Sequence, residues 1–146
     1  MIRFHAMTDA GKVRAHNEDA VFADGRSGVF AVADGVGGRA AGEVASALTI
    51  QTIEESIPTL RAVMDCYAAD PQWEQRNDVI NALDRVCQAA STRVYDEGER
   101  LGRKGMTTTV VVMLVTSGTA FFAHVGDSRA YLVRDGLIQQ LTEDHS

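Results

Sequence analysis

The sequence predicts an α+β fold built on antiparallel sheets, and three observations carry that expectation. Short β-branched and aromatic runs separated by turn residues fill both ends of the chain, from Ile2 to Asp34 and from Met106 to Leu141. Helix-forming sequence fills the middle, from Ala40 to about Gly98. The order is therefore strands, then two or three helices, then strands, not the alternation that a parallel βαβ sheet requires.

The first strand signal is "IRFHAM", which alternates apolar and polar residues. "AVFA" follows an irregular loop at "DAGKVRAHNED", with a strand expected to begin at Ala20, and "DGRSG" supplies turn chemistry that returns the chain into "VFAVAD". From Ala40 to about Ile57 good helix formers run up to Pro58, expected to stop them, with apolar residues spread round the helix, so more than one side should be covered. Leu60, Val63, Met64 and Tyr67 form a shorter stripe, interrupted by "ADPQWEQRND". Val79, Ile80, Leu83, Val86, Cys87, Ala90 and Val94 then fall on one helical face that should end near Gly98.

"MTTTVVVMLV" is almost wholly apolar and β-branched, as in a strand covered on both faces. "TSG" turns it into "TAFFAHV", and "RAYLV" and "LIQQL" flank Asp135-Gly136, a hairpin signal. The chain stops at "LTEDHS", directly after a strand, and looks unfinished.

A length of 146 residues suits one domain with a core. The 45% apolar and 23% charged composition is that of a globular protein. No apolar run reaches the ~18 to 20 residues of a membrane span, and the N-terminus lacks a signal-peptide core, so the cytoplasm is the expected compartment. Twenty acids against 14 bases give a net charge of −6, which argues against nucleic acid or an anionic membrane as partner. Cys66 and Cys87 lack C-x-x-C spacing; Cys87 reads as a buried structural thiol.

Chemistry concentrates where strands meet loops. Asp34 follows "VFAVA" and precedes Gly35, Asp127 follows "FFAHVG", and Asp19 closes "RAHNED". Each has a glycine or small residue beside it, so backbone atoms can approach whatever the carboxylate binds. Asp34 beside Gly35 is open to three explanations: a turn, a phosphate cradle or a metal ligand. If the acids converge, two carboxylates ~4 Å apart repel by roughly 4 kcal/mol at an effective dielectric of about 20. Such a cluster survives by protonation or by binding a cation, and oxygen ligands favour Mg²⁺ or Mn²⁺ over zinc. His5, His16, His124 and His145 form no metal-binding pair, and His124 reads as core or strand surface. Arg14, five residues before Asp19, offers a planar fork suited to phosphate oxygens.

Other chemistries are weaker. Gly35-x-Gly37-x-x-Ala40 satisfies a dinucleotide-binding pattern, with Glu54 near the position of a ribose-binding acid. Asp34 would then thrust negative charge at the pyrophosphate, and the preceding strands resemble a hairpin. No G-x-x-x-x-G-K-[ST] loop and no G-x-S-x-G elbow occurs.

"VRAHNEDA", "VFAVADGVGGRAAGEVAS", "GMTTTVVVMLV" and "FFAHVGDSRAYLVRDGLIQQLTEDHS" together resemble the metal-dependent protein phosphatases of the PP2C (PPM) family, in its compact bacterial-type branch. The blocks occur in the family's order and span the chain. The resemblance implies a four-layer α-β-β-α sandwich of antiparallel sheets, incomplete here. Residues 1–146 would form a single phosphatase-type domain lacking its C-terminal portion. It implies hydrolysis of phosphoserine and phosphothreonine in phosphoproteins by a metal-bridging hydroxide at a dinuclear Mn²⁺ or Mg²⁺ site, opposed by a Ser/Thr kinase. Asp34 would bridge the two ions, Gly35 would add its backbone carbonyl, and Glu18 and Asp19 would hold the water shell. Arg14 would clamp the substrate phosphate, and Asp127 would help to bind a third, weaker ion.

Two departures accompany the resemblance. Val36 stands where many eukaryotic members carry a histidine proposed as general acid, and the remaining ligand aspartates of the family fall beyond Ser146. The chain alone is therefore expected to be inactive and poorly stable. The alternative is a truncated, inactive phosphatase-like module that binds a phosphoprotein or partner.

Overall fold

The computed structural model describes residues 2–36 and 41–145. Its elements run β1 (Asp19–Asp24), β2 (Val29–Val36), α1 (Ala41–Glu55), α2 (Ile57–Ala69), α3 (Trp73–Arg100), β3 (Thr107–Thr108), β4 (Val110–Thr116), β5 (Thr119–Val125), β6 (Tyr131–Arg134) and β7 (Leu137–Gln140). This is the α+β layout with antiparallel pairing. Five strands form one sheet in the order β1-β2-β4-β5, with β3 beside β2, and β6 and β7 form a separate hairpin. Of a four-layer sandwich, the described residues supply one sheet, one helical layer and this hairpin.

Turn chemistry sets the hairpins. Asp24 accepts the Gly28 amide on its carbonyl (2.9 Å) and the Arg26 amide on its carboxylate (2.9 Å), closing β1 onto β2. Ser117 and Gly118, and again Asp135 and Gly136, take positive φ in the two-residue turns between β4 and β5 and between β6 and β7, the twist that antiparallel strands favour.

Alternation along β2 sends Val29, Ala31 and Ala33 into the core and Val32, Asp34 and Val36 outward. The core joins these residues and Val110, Val112, Leu114 and Phe121 to Ile50 and Ile53 of α1, Leu60 and Met64 of α2, and Val79, Leu83 and Val86 of α3. Leu114 is wholly buried, so Leu114→Ala should cost about 2 to 5 kcal/mol in urea unfolding. Val133→Ala, on the exposed hairpin, should change stability by no more than about 0.5 kcal/mol. Equal losses would contradict this placement of the core.

Several local expectations need correction. "IRFHAM" joins no strand: its residues are all exposed, and Phe4 meets Phe30 edge-on at 5.6 Å. Pro58 does not stop the first helix; α1 ends at Glu55, and Pro58 lies in the first turn of α2, where its missing N–H has no helical partner to lose. The break before α3 is only Asp70–Gln72. β1 starts at Asp19, one residue earlier than expected, and α3 ends two residues past Gly98. β2 continues through Asp34 to Val36 because Gly35 and Val36 pair with Thr108 and Thr107. Cys87 is half-buried against the core, where loss of water pushes its thiol pKa up, whereas Cys66 is exposed.

Candidate metal and phosphate site

The pairing of β1 with β2 sets Asp19 directly opposite Asp34. Both lie on the outward face of the sheet, at the end where β2 exchanges β4 for β3 as its neighbour. Asp127 follows β5 at the same end. The carboxyl of Asp34 is held above the ordinary aspartate pKa. Partial loss of water round it is the first cause, although the residue as a whole is exposed on the outer face; then come the charge and hydrogen bond of Asp19 and the charge of Asp127, opposed by Arg14. Asp19, Asp127 and Arg14 are therefore each within electrostatic reach of Asp34.

Arg14 is exposed and donates to Glu18 at 3.2 Å, so the guanidinium is tethered beside the acids with most of its surface in solvent. Asn17 shapes the loop that carries them: its side-chain oxygen accepts the Asp19 amide (3.1 Å) and its amide nitrogen donates to Thr8 (2.8 Å).

Gly35 is not needed merely to bare a carbonyl. Its amide donates to the Glu18 carbonyl (3.0 Å), and a methyl on Gly35 would collide with the Gly42 backbone carbonyl and approach the Glu18 carbonyl at 2.7 Å. A methyl on Gly42 would lie 2.8 Å from the Gly35 carbonyl and 2.9 Å from the Glu18 carboxylate. The two glycines let the start of α1 touch β2, and Glu18 closes over the contact.

Sequence reasoning missed Gly42 and also Thr109 and Ser128, which tie the Asp34 backbone to the Asp127 loop. A glycine inside a helical run was the available signal for the first; the two hydroxyls had none. Gly37 and Ala40 of the dinucleotide pattern lie outside the described residues, but β1 and β2 are an antiparallel hairpin, and Glu54 is exposed on α1. His124 is half-buried, stacks on His145 with ring centroids 4.5 Å apart, and its Nε2 lies 2.7 Å from the Glu143 carbonyl.

The donor set suits a hard divalent ion: carboxylates whose like charges converge are stabilised by a cation, and all candidate ligands are oxygen. The set is partial, since among the described residues no three Asp, Glu, His or Cys side chains close into a metal-holding group. What stands is an Asp19–Asp34 pair facing each other across the strands, with Asp127 and Arg14 each within electrostatic reach of Asp34.

The chain belongs to the protein phosphatase 2C family, whose model matches residues 10–146. It is 37% identical over 145 residues to the serine/threonine protein phosphatase PstP of Mycobacterium tuberculosis, covering 99% of this chain and 25% of that protein. Against the serine/threonine phosphatase stp of Listeria monocytogenes the identity is 33% over 144 residues, covering 95% of this chain and 53% of the relative. Among solved structures, the catalytic domain of PstP in complex with two manganese ions superposes with a TM-score of 0.79 at 36% identity, covering 97% of this chain and 55% of that one. Stp1 of Staphylococcus aureus gives a TM-score of 0.76 at 30% identity, covering 96% and 52%. The chain thus spans a quarter of the length of PstP and about half that of the shorter relative.

Proposed function

We propose that this chain is part of a metal-dependent protein phosphatase that hydrolyses phosphoserine and phosphothreonine in phosphoproteins. The observation that supports this function is Asp19 standing opposite Asp34 in the strand register, with Asp127 and Arg14 each within electrostatic reach of Asp34. Asp34 and Asp19 would hold two Mn²⁺ or Mg²⁺ ions, helped by the Gly35 carbonyl and Glu18, and Asp127 would help to hold a third. When bound, the ions supply Lewis acidity, which acidifies water and offsets phosphoryl charge. Arg14 would bind and orient the substrate phosphate through its fork of donors. Val36 has no proton to give, so the leaving alkoxide would take its proton from water or another group. The remaining ligands would come from sequence corresponding to the further length of the relatives, and residues 1–146 alone would be inactive. Phosphoproteins and a Ser/Thr kinase would be its functional counterparts. A cytoplasmic location belongs to the same proposal; no helix among the described residues is long and apolar enough to cross a membrane.

The protein expressed at the length its gene encodes should hydrolyse p-nitrophenyl phosphate and a phosphothreonine peptide with Mn²⁺. Excess EDTA should stop it. Undiminished turnover in EDTA would exclude the metal-dependent route.

The partial ligand set favours a second function, a phosphate-recognising module without turnover. In that case the gene-length protein would bind a phosphopeptide in an Arg14-dependent manner and release no phosphate.

A further inference from the structure

Thr109 stands opposite Asp34 in the register that runs from Val32↔Val111 to Gly35↔Thr108. It breaks the strand between β3 and β4. The Thr109 amide donates to the Asp34 carbonyl at 2.8 Å, as a ladder requires. The reciprocal bond is changed: the Asp34 amide donates to the Thr109 hydroxyl oxygen at 3.1 Å, while the Thr108 hydroxyl lies 2.9 Å from both the Asp34 and the Thr109 carbonyl oxygens and donates between them. The same Thr109 hydroxyl lies 2.6 Å from the Ser128 hydroxyl, next to Asp127.

The threonine methyl is used as well. Gly126 has φ +97°, and a Cβ there would lie 2.7 Å from the Thr109 methyl. Thr109 is buried, so this hydroxyl has little access to replacement water. One side chain therefore grips the backbone beneath Asp34 with its oxygen and fits the start of the Asp127 loop with both oxygen and methyl. Neither serine nor valine offers both.

We infer that Thr109 is the positioning residue of the site: its hydroxyl, shared between the Asp34 amide and Ser128, sets the spacing of the Asp34 and Asp127 carboxylates and thereby the affinity for divalent cations. This rests on the metal-dependent function proposed above. Side chains that orient ligands from behind typically govern metal affinity by about 10- to 100-fold.

The test is Mn²⁺ titration calorimetry on the gene-length protein, with thermal melts in parallel. Thr109→Val, which keeps the shape and removes the hydroxyl, should weaken Mn²⁺ binding about tenfold or more. Thr109→Ser should recover most of that loss, as general destabilisation would not. Ser128→Ala, which leaves the Asp34 amide bonded, should also weaken binding, and the double variant Thr109→Val/Ser128→Ala should lose little more than Thr109→Val. Wild-type affinity in Ser128→Ala, or additive losses in the double variant, would overturn the shared-hydroxyl linkage. Should Thr109→Val fail to fold, Ser128→Ala and Thr109→Ser still decide it. If wild type binds Mn²⁺, Asp34→Asn does not, and the Thr109 and Ser128 variants match wild type, the linkage alone fails. If wild type binds no Mn²⁺, the metal-dependent function fails and takes the linkage with it.

Discussion

Asp34→Asn is expected to lower Mn²⁺-dependent phosphate-ester hydrolysis of the gene-length protein at least ~100-fold, while leaving the metal-free protein no less stable. The activity loss follows from removing a charged ligand, since disturbing an outer partner alone costs a metal site about 10- to 100-fold. The stability change has the opposite sign because the Asp34 carboxylate stands against Asp19 and Asp127 when no cation offsets them. The folded protein holds the Asp34 proton more tightly than the unfolded chain does. Its contribution is therefore full below the ordinary aspartate range and is lost as pH rises through the raised pKa. Above that window the wild-type residue is unfavourable and asparagine removes the repulsion. Water reaches the site, so the gain should be on the order of 1 kcal/mol or less.

Manganese should reverse this order. Ligand binding stabilises the folded state by about 2.7 kcal/mol at 100 times Kd, so the wild type should gain Tm with Mn²⁺ and Asp34→Asn should not. Thermal melts with EDTA and with Mn²⁺ check both signs. A mutant that melts well below wild type in EDTA would make Asp34 a structural residue. A mutant retaining both turnover and its Mn²⁺ shift would remove it from the site.

The elements legible in the sequence were those specified locally. Ser117-Gly118 and Asp135-Gly136 carry their turn chemistry in two residues, and the stripe of α3 repeats often enough for its period to show. Pro58 was misleading because the same residue can end one helix or begin another, and only the chain direction after Glu55 decides which. "IRFHAM" has strand alternation, but it joins no strand among the described residues. The acids could be singled out because each lies beside a small residue at or near the end of an apolar, strand-forming run. Their meeting depends on contacts that no local pattern contains. The bond from the Asp34 amide to Thr109 spans 75 positions, and the second hydroxyl in that link, Ser128, lies 19 further on. Gly42 was hidden for the same reason: its partner, Gly35, belongs to a different element, and their closeness exists only once α1 has packed on β2.

That closeness makes Gly35→Ala the substitution at the site with the largest expected effect on folding. The residue is buried, and no positive φ demands glycine there; the constraint is the space between strand and helix. A methyl would meet the Gly42 carbonyl, the Gly42 carbonyl carbon and the Glu18 carbonyl, all of them backbone atoms that cannot rotate aside. Relief requires α1 to lift from β2 or the Glu18 loop to retreat, with loss of the Gly35 amide bond to Glu18. Overpacking of this kind costs typically 1 to 3 kcal/mol, and a backbone-to-backbone clash should reach about 3 kcal/mol or more. Gly102→Ala is the control: its φ of +65° imposes strain, but a methyl there meets nothing within 4 Å, so the cost should stay near ~1 kcal/mol. Urea unfolding of the two variants separates packing from conformational strain. Because displacement of the Glu18 loop also moves Asp19 away from Asp34, Gly35→Ala should lose its Mn²⁺ thermal shift under conditions where it remains folded, whereas Gly102→Ala should keep it. If both variants unfold alike and both respond to Mn²⁺, the strand–helix contact is not what holds the acidic loop in place.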